Sequence, residues 1–280
     1  MRIGLTGASG FIGSRLLAAL KGRGQTVSAF RRKKNPSLNT SCFRNFVENK
    51  DVIYHLAGVN RASDDELITG NLLATLYLIR AIRESGSQAR IIFASSSQVY
   101  APEGKSPIRE SRPTRPATLY GVAKRAAEDA IRVSGLNYSI LRIANVYGPG
   151  CRPYYNSVVA TFCDRAVRGQ PLIIDGEGIQ GRDFIYLDDV VEAFYKAREG
   201  KAGIYNIGSG KIVSLRKLVG EIRREVPSLK VEYLKDRDSG NPSYSCDGSR
   251  FMKEYCWKPR TSLRQGVQET LKWARSQKMK

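Results

Sequence analysis

Tyr120 and Lys124 stand four residues apart in Tyr120-Gly121-Val122-Ala123-Lys124. In a helix that spacing puts both side chains on one face. A phenol ionises at about pH 10 and is a poor base at neutral pH, so a neighbouring ammonium and a nicotinium ring would favour the phenolate and bring it toward working range. Further hydroxyls, Ser95-Ser96-Ser97, end the apolar run Ile91-Ile92-Phe93-Ala94. A third group is glycine: Gly7, Gly10 and Gly13 lie between the apolar run from Ile3 to Thr6 and the stretch Leu16-Leu17-Ala18-Ala19-Leu20. Glycines between a strand and a helix make a pyrophosphate cradle. Gly7 permits the tight turn, Gly10 lets the backbone approach closely, and Gly13 lets the helix pack on the strand, while the helix N-terminus presents free N–H groups and a positive dipole. The three groups together predict hydride transfer by a bound dinucleotide, coupled to proton exchange at a phenol.

Such groups must be held by alternating strands and helices. Val27 to Phe30 reads as a second strand and Asp51 to Ala57 as a third. Ser63-Asp64-Asp65-Glu66 has capping-box spacing and opens a helix through Leu67, Ile68, Leu72, Leu76, Ile79 and Ile82 to Gly86. A strand at Ile91 to Ala94, a helix from Pro116 to Ser134 closed by Gly135, and a strand at Tyr138 to Ile143 follow. The fold class expected is α/β, a Rossmann-type doubly wound parallel sheet with ligands at the carboxyl edge of its strands. Residues 1–150 are expected to form the dinucleotide-binding domain, and 151–280 a smaller interwoven lobe with helices near 156–168, 188–199, 214–226 and 263–276. Within that lobe about 172–210 partly return, through Ile204-Tyr205-Asn206-Ile207-Gly208, to the main domain.

Composition removes other chemistries. His55 is the single imidazole, and Cys42, Cys151, Cys163, Cys246 and Cys256 form no C-x-x-C pair, so no metal centre or histidine triad is expected. An odd cysteine count without a leader-like segment predicts a cytoplasmic protein, and no run of about 18 apolar residues predicts a membrane span. The 46 basic and 26 acidic residues leave +20. Bases gather in Lys21, Arg23 and Arg31 to Lys34, and again from Lys253 to Lys280. They read as a solvated basic face; the alternative is a catalytically lapsed binder of RNA or another polyanion, although no aromatic and basic interleaving marks a nucleic-acid surface.

The G-x-x-G-x-x-G spacing and Y-x-x-x-K are joined by Ser95-Ser96-Ser97-Gln98-Val99-Tyr100, Asn145-Val146-Tyr147-Gly148-Pro149-Gly150, Gly181-Arg182-Asp183-Phe184-Ile185-Tyr186 and Tyr205-Asn206-Ile207-Gly208. With these pieces the chain resembles the extended short-chain dehydrogenases, the NAD(P)-dependent nucleotide-sugar epimerase/dehydratase family, from residue 1 to about 270. The resemblance implies a catalytic set of Ser96, Tyr120 and Lys124, acting at C4 of a nucleotide-diphosphate hexose. It implies cofactor contacts from Gly7, Ser9, Gly10, Phe11, Ile12, Gly13, Arg31, Arg32, Leu56, Ala57, Gly58 and Asn71 and from Tyr120 and Lys124 themselves, and substrate contacts from Ser97, Tyr100, Asn145, Arg182 and Arg237. Arg237 precedes Asp238-Ser239-Gly240-Asn241, displaced by one from the family pattern. Arg31 ends the second strand where NAD users carry Asp for the ribose hydroxyl, and a guanidinium there accommodates a 2′-phosphate, which favours NADP over NAD. Sugar 4,6-dehydratases carry Asp and Glu where this chain has Ser97 and Gln98, so dehydration is not expected. Ala57-Gly58-Val59-Asn60-Arg61 and the stretch from Cys151 to Cys163 look like a subgroup that reduces 4-keto intermediates. A homodimer through the long helices is the family's default.

Overall fold

The computed structural model describes residues 1–31, 38–101, 106–155, 157–237 and 243–278. Its centre is one six-stranded sheet. In chain order β1 Ile3–Thr6, β2 Val27–Ala29, β3 Val52–His55, β4 Arg90–Ser96 and β5 Tyr138–Ile143 are joined by the later strand Gly203–Ile207. Across the sheet the order is Gly203–Ile207, β5, β4, β3, β1, β2, and every pairing is parallel. All residues of β1 and β3 are buried, the pattern of strands covered on both faces. The chain runs from β1 outward to β2 and then crosses back to lay β3 on the other edge of β1. At such a reversal the flanking connections diverge and open a crevice beyond the carboxyl ends of the two strands.

Helices flank the sheet much as the apolar spacing predicts. Phe11–Gly22 buries Gly13, Leu16 and Leu20 in the core that holds Ile3, Leu5 and Tyr54. The helix opened by Ser63 has the full capping box, Ser63 accepting from the Glu66 N–H and Glu66 accepting from the Ser63 N–H. It is not regular, however. Between Asp64–Leu67 and Ala74–Glu84 the turn Ile68–Leu73 winds as a π-helix with Asn71 buried inside it. The helix carrying Tyr120 starts later than Pro116, at Leu119–Arg132, because the Thr118 hydroxyl accepts from the Gly121 N–H at 3.1 Å and fixes the cap.

The small lobe has its own core, with Phe162, Cys163, Leu172, Leu218, Ile222 and Leu271 among its members. Three helices surround it, Val158–Val167, Leu215–Glu225 and Leu263–Lys278, and Leu172–Asp175 pairs in parallel with Val231–Leu234. The chain crosses between the cores more than once. Gly203–Ile207 joins the large sheet, and Val190, Phe194, Phe251 and Trp257 pack into the large core. Helix Ser249–Tyr255, which the sequence reading passed over, is one of these returning pieces. Among the described residues no helix is long and apolar enough to cross a membrane.

Candidate active site

The carboxyl end of β1 lies directly on that of β3. Gly7 has φ +72°, and a methyl there would sit 2.6 Å from the Ala57 nitrogen and 2.7 Å from the Leu56 carbonyl carbon. Gly10 donates its N–H to the Gly7 carbonyl at 2.9 Å, closing the turn. Gly13 serves that same carbonyl: its Cβ would fall 2.0 Å from the Gly7 oxygen, so the helix packs on the turn itself rather than on the strand. At Gly10 a Cβ would meet only that oxygen, at 3.2 Å, with open space beyond. The first turn of Phe11–Gly22 has no capping side chain and no acid, Ser9 is exposed, and Phe11 and Ile12 are half-buried. A concave, glycine-lined surface with free backbone donors fits a pyrophosphate. Arg31, just past β2, is exposed; Arg32 lies outside the described residues.

Across the crevice, β4 and the Leu119–Arg132 helix bring Ser96, Tyr120 and Lys124 together. Ser96 acts on the Tyr120 hydroxyl in favour of the phenolate, but burial outweighs it and pushes the Tyr120 pKa up to about 12. The Lys124 ammonium donates to the Ala94 carbonyl at 3.0 Å, lies 5.9 Å from the Tyr120 ring centre, and is 4% exposed. Burial brings its pKa down to about 8, with Glu128 opposing. One of the three ammonium protons is taken by the Ala94 carbonyl, which leaves two for other partners.

Behind this set lies a layer the sequence reading did not find. The buried pair Glu128 and Arg142 shares three hydrogen bonds, the shortest 2.6 Å, and Glu128 also accepts from Ser95, the neighbour of Ser96. Tyr120, Lys124 and Glu128 recur every four residues, so this pair fixes the helix face that carries the first two against β4 and β5. The periodicity was the available signal.

His55, seen in the sequence only as the lone imidazole, bonds through Nδ1 to Thr6 at 2.8 Å and through Nε2 to Thr75 at 3.0 Å. Thr75 donates to the Asn71 carbonyl at 2.6 Å, and Thr6 accepts from the Ala57 N–H at 3.1 Å. The network assigns the ring proton to Nε2. Burial, with the Lys124 charge adding, takes the His55 pKa down to about 3, so the ring is a neutral strut between β1, β3 and the π turn.

The remaining predicted contacts divide. Leu56, Ala57 and Gly58 follow β3 and are half-buried to exposed. Asn71 is a brace: its amide donates to the Val59 and Leu67 carbonyls at 2.8 and 2.9 Å, while its buried Oδ1 is without a protein partner. That oxygen lies beside Gly58, where a Cβ would be 2.6 Å from it and 3.1 Å from the Lys124 ammonium. Tyr100, expected at the substrate, is 3% exposed, and its hydroxyl accepts from Arg142 at 2.9 Å and donates to Asn206 at 2.8 Å. Its place is in the core, because a buried guanidinium needs every acceptor it can find. Ser97 is likewise buried, 3.3 Å from the Tyr244 hydroxyl. Asn145 is half-buried and donates to the Asp183 carbonyl at 3.2 Å. Arg182, half-buried, donates to the Gly181 carbonyl at 2.7 Å. Arg237 is exposed and paired with Asp175 at 3.4 Å; the residues that follow it, 238–242, lie outside the described ones.

The five cysteines are free, and burial pushes the Cys151, Cys163 and Cys246 thiols up, away from thiolate chemistry.

The chain is similar to known proteins. Residues 3–208 match the NAD dependent epimerase/dehydratase family. A putative UDP-glucose 4-epimerase of Methanocaldococcus jannaschii is 31% identical over 83% of this chain and 79% of its own. A UDP-2-acetamido-2,6-beta-L-arabino-hexul-4-ose reductase of Pseudomonas aeruginosa is 34% identical over 72% of this chain, a match that spans half of the reductase's length. Among solved structures, MoeE5 in complex with UDP-glucose and NAD superposes with a TM-score of 0.85 at 30% identity, covering 99% of both chains.

Proposed function

The chain belongs to the NAD dependent epimerase/dehydratase family, and on that premise we propose that it transfers hydride at C4 of a nucleotide-diphosphate hexose, in the direction of 4-keto reduction. The observation that carries this reading is the grouping of Ser96, Tyr120 and the buried Lys124 where β4 ends, together with the glycine turn of Gly7, Gly10 and Gly13 beyond β1. The nicotinamide nucleotide that fits the glycine turn supplies the hydride. Everything else is the work of side chains: Ser96 holds the sugar O4, Tyr120 delivers a proton to that oxygen as it gains charge, and Lys124 stands ready for the ribose. In reduction the neutral phenol gives its proton to O4, and in oxidation the phenolate takes one from it; the likeness of Ala57 to Arg61 and of Cys151 to Cys163 to a 4-keto-reducing subgroup favours reduction. Arg182 supplies a guanidinium suited to the diphosphate, and Asn145 an amide beside it. Arg31 favours NADP.

The half-reactions of 4-ketoreduction and 4-epimerisation use the same residues and differ in whether the cofactor leaves. Mass-spectrometric identification of nicotinamide released from the denatured, purified protein separates them. The expected result is little retained cofactor, NADPH bound at least tenfold tighter than NADH, and NADPH oxidation on addition of a nucleotide-linked 4-keto sugar. Near-stoichiometric retained NAD would replace this reading with self-contained epimerisation. A lapsed RNA binder is tested by Tyr120→Phe, which leaves RNA affinity unchanged if that reading holds and abolishes sugar turnover if the enzymatic one does.

A further inference from the structure

The loop after Gly150 holds a strained residue that neither the glycine turn nor the Ser96–Tyr120 pair explains. Tyr154 has φ +60°, a left-handed conformation that a bulky L residue adopts rarely and against resistance. Two bonds from the Val158–Val167 helix keep it there: its N–H donates to Thr161 Oγ1 at 2.9 Å, and its hydroxyl donates to Asp164 at 3.0 Å. The turn so made sends Tyr155 toward the loop beyond β3, where its hydroxyl accepts the Arg61 N–H at 3.2 Å. Arg61 in turn reaches back to the Tyr154 carbonyl at 3.5 Å. That β3 loop is fixed to the catalytic floor, since Asn71 donates to the Val59 carbonyl at 2.8 Å and Gly58 abuts the Lys124 ammonium. Residues 154–155 and 59–61 therefore clasp across the crevice at its catalytic end, one side from each lobe.

The hydroxyl of Tyr155 is anchored but not satisfied. Accepting the Arg61 amide leaves its own proton, whose partner in the structure is the Arg61 carbonyl at 3.5 Å. A good O–H···O bond is about 2.7–2.8 Å, so that proton is free to turn to a better acceptor. We propose that Tyr155 is a sugar-contacting, specificity-determining residue, its hydroxyl held by the Arg61 amide and donating to an oxygen of the sugar beside the carbon that Tyr120 serves. The inference rests on the nucleotide-sugar reading above. Tyr155 also acts electrostatically on the Tyr120 phenol, as a second phenol near it would.

Calorimetric binding of UDP, GDP and dTDP to the wild-type protein selects the nucleotide, and its glucose or mannose conjugate (UDP-glucose, GDP-mannose or dTDP-glucose) is then compared with it on Tyr155→Phe. The half-buried ring is retained, so the fold survives, and the bare diphosphate reports this directly. The expected result is a loss of about fivefold for the conjugate, the size of one neutral hydrogen bond, with affinity for the diphosphate unchanged. Equal losses for both ligands, or no loss for either, overturn the assignment of Tyr155 and leave the nucleotide-sugar reading standing. A wild-type protein that binds none of the three diphosphates or their conjugates overturns that reading and takes the assignment with it.

Discussion

The two walls of the crevice are made of different material. On the wall proposed for the cofactor, Gly7, Gly10 and Gly13 present backbone, and at Gly7 and Gly13 the space a Cβ would take is already filled by Leu56 and Ala57 or by the Gly7 carbonyl. On the wall proposed for the sugar, the side chains come from separated segments: Ser96 from β4, Tyr120 from its helix, Arg182 from the short strand Gly181–Arg182, and Tyr155 from the loop after Gly150. A wall of backbone admits one residue type and therefore writes a short, rigid pattern into the sequence. A wall of side chains admits many solutions, so substrate choice can change there while the cradle stays the same.

Substitutions that strike one wall should spare the other. The largest effect belongs to Tyr120→Phe, which removes the proton and keeps the ring: turnover should fall about 10²–10⁴-fold with NADPH affinity unchanged, and a parallel loss of NADPH binding would erase the distinction between the walls. Next is the floor common to both. Glu128→Ala leaves the buried Arg142 guanidinium unpaired and should lower unfolding stability by about 3–5 kcal/mol, measured by denaturant titration, where an ordinary surface change costs little.

The cradle is sharpened by a pair of variants. Gly13→Ala drives a methyl into the Gly7 carbonyl and should weaken NADPH binding about 10–100-fold, the cost of ~1–3 kcal/mol of overpacking, with nucleotide-sugar binding retained. Gly10→Ala, whose methyl meets the protein only at 3.2 Å, should leave the thermal midpoint near wild type while still weakening NADPH; a lowered midpoint would show that Gly10 serves the fold rather than the ligand.

The most gradual effect, small at each step of pH near neutrality, concerns the strut joining the walls. His55 has a folded pKa depressed to about 3 against about 6.5 for a free imidazole, so its contribution to stability is complete above pH ~6.5. As pH falls below that value the unfolded chain takes up a proton the folded one refuses, and stability should drop by about 1.4 kcal/mol per unit toward pH 3. Because the chain has one histidine, imidazole NMR shifts report it alone. Titration of the folded protein near pH 6.5 would remove His55 from the buried network.

Several features were legible before any coordinates. The glycine spacing, the four-residue interval between Tyr120 and Lys124, and the alternation of apolar runs follow from local rules: a positive φ that glycine tolerates, 3.6 residues per turn, and the continuous burial of parallel strands. The capping box at Ser63 belongs with them, since both partners lie within one turn. Tyr100, the Glu128–Arg142 pair, the π turn at Asn71 and the direction of the Lys124 ammonium were settled only by packing. For each, the sequence offers several acceptors or rotamers of similar local energy, and the choice depends on which buried polar atoms meet across β4, β5 and the Tyr120 helix, where an unpaired group is costly. Tyr155 is the sharpest case. Its neighbour's strain is held by Thr161 and Asp164, and its bond is to Arg61, 94 residues away, so its place in the crevice exists only in three dimensions.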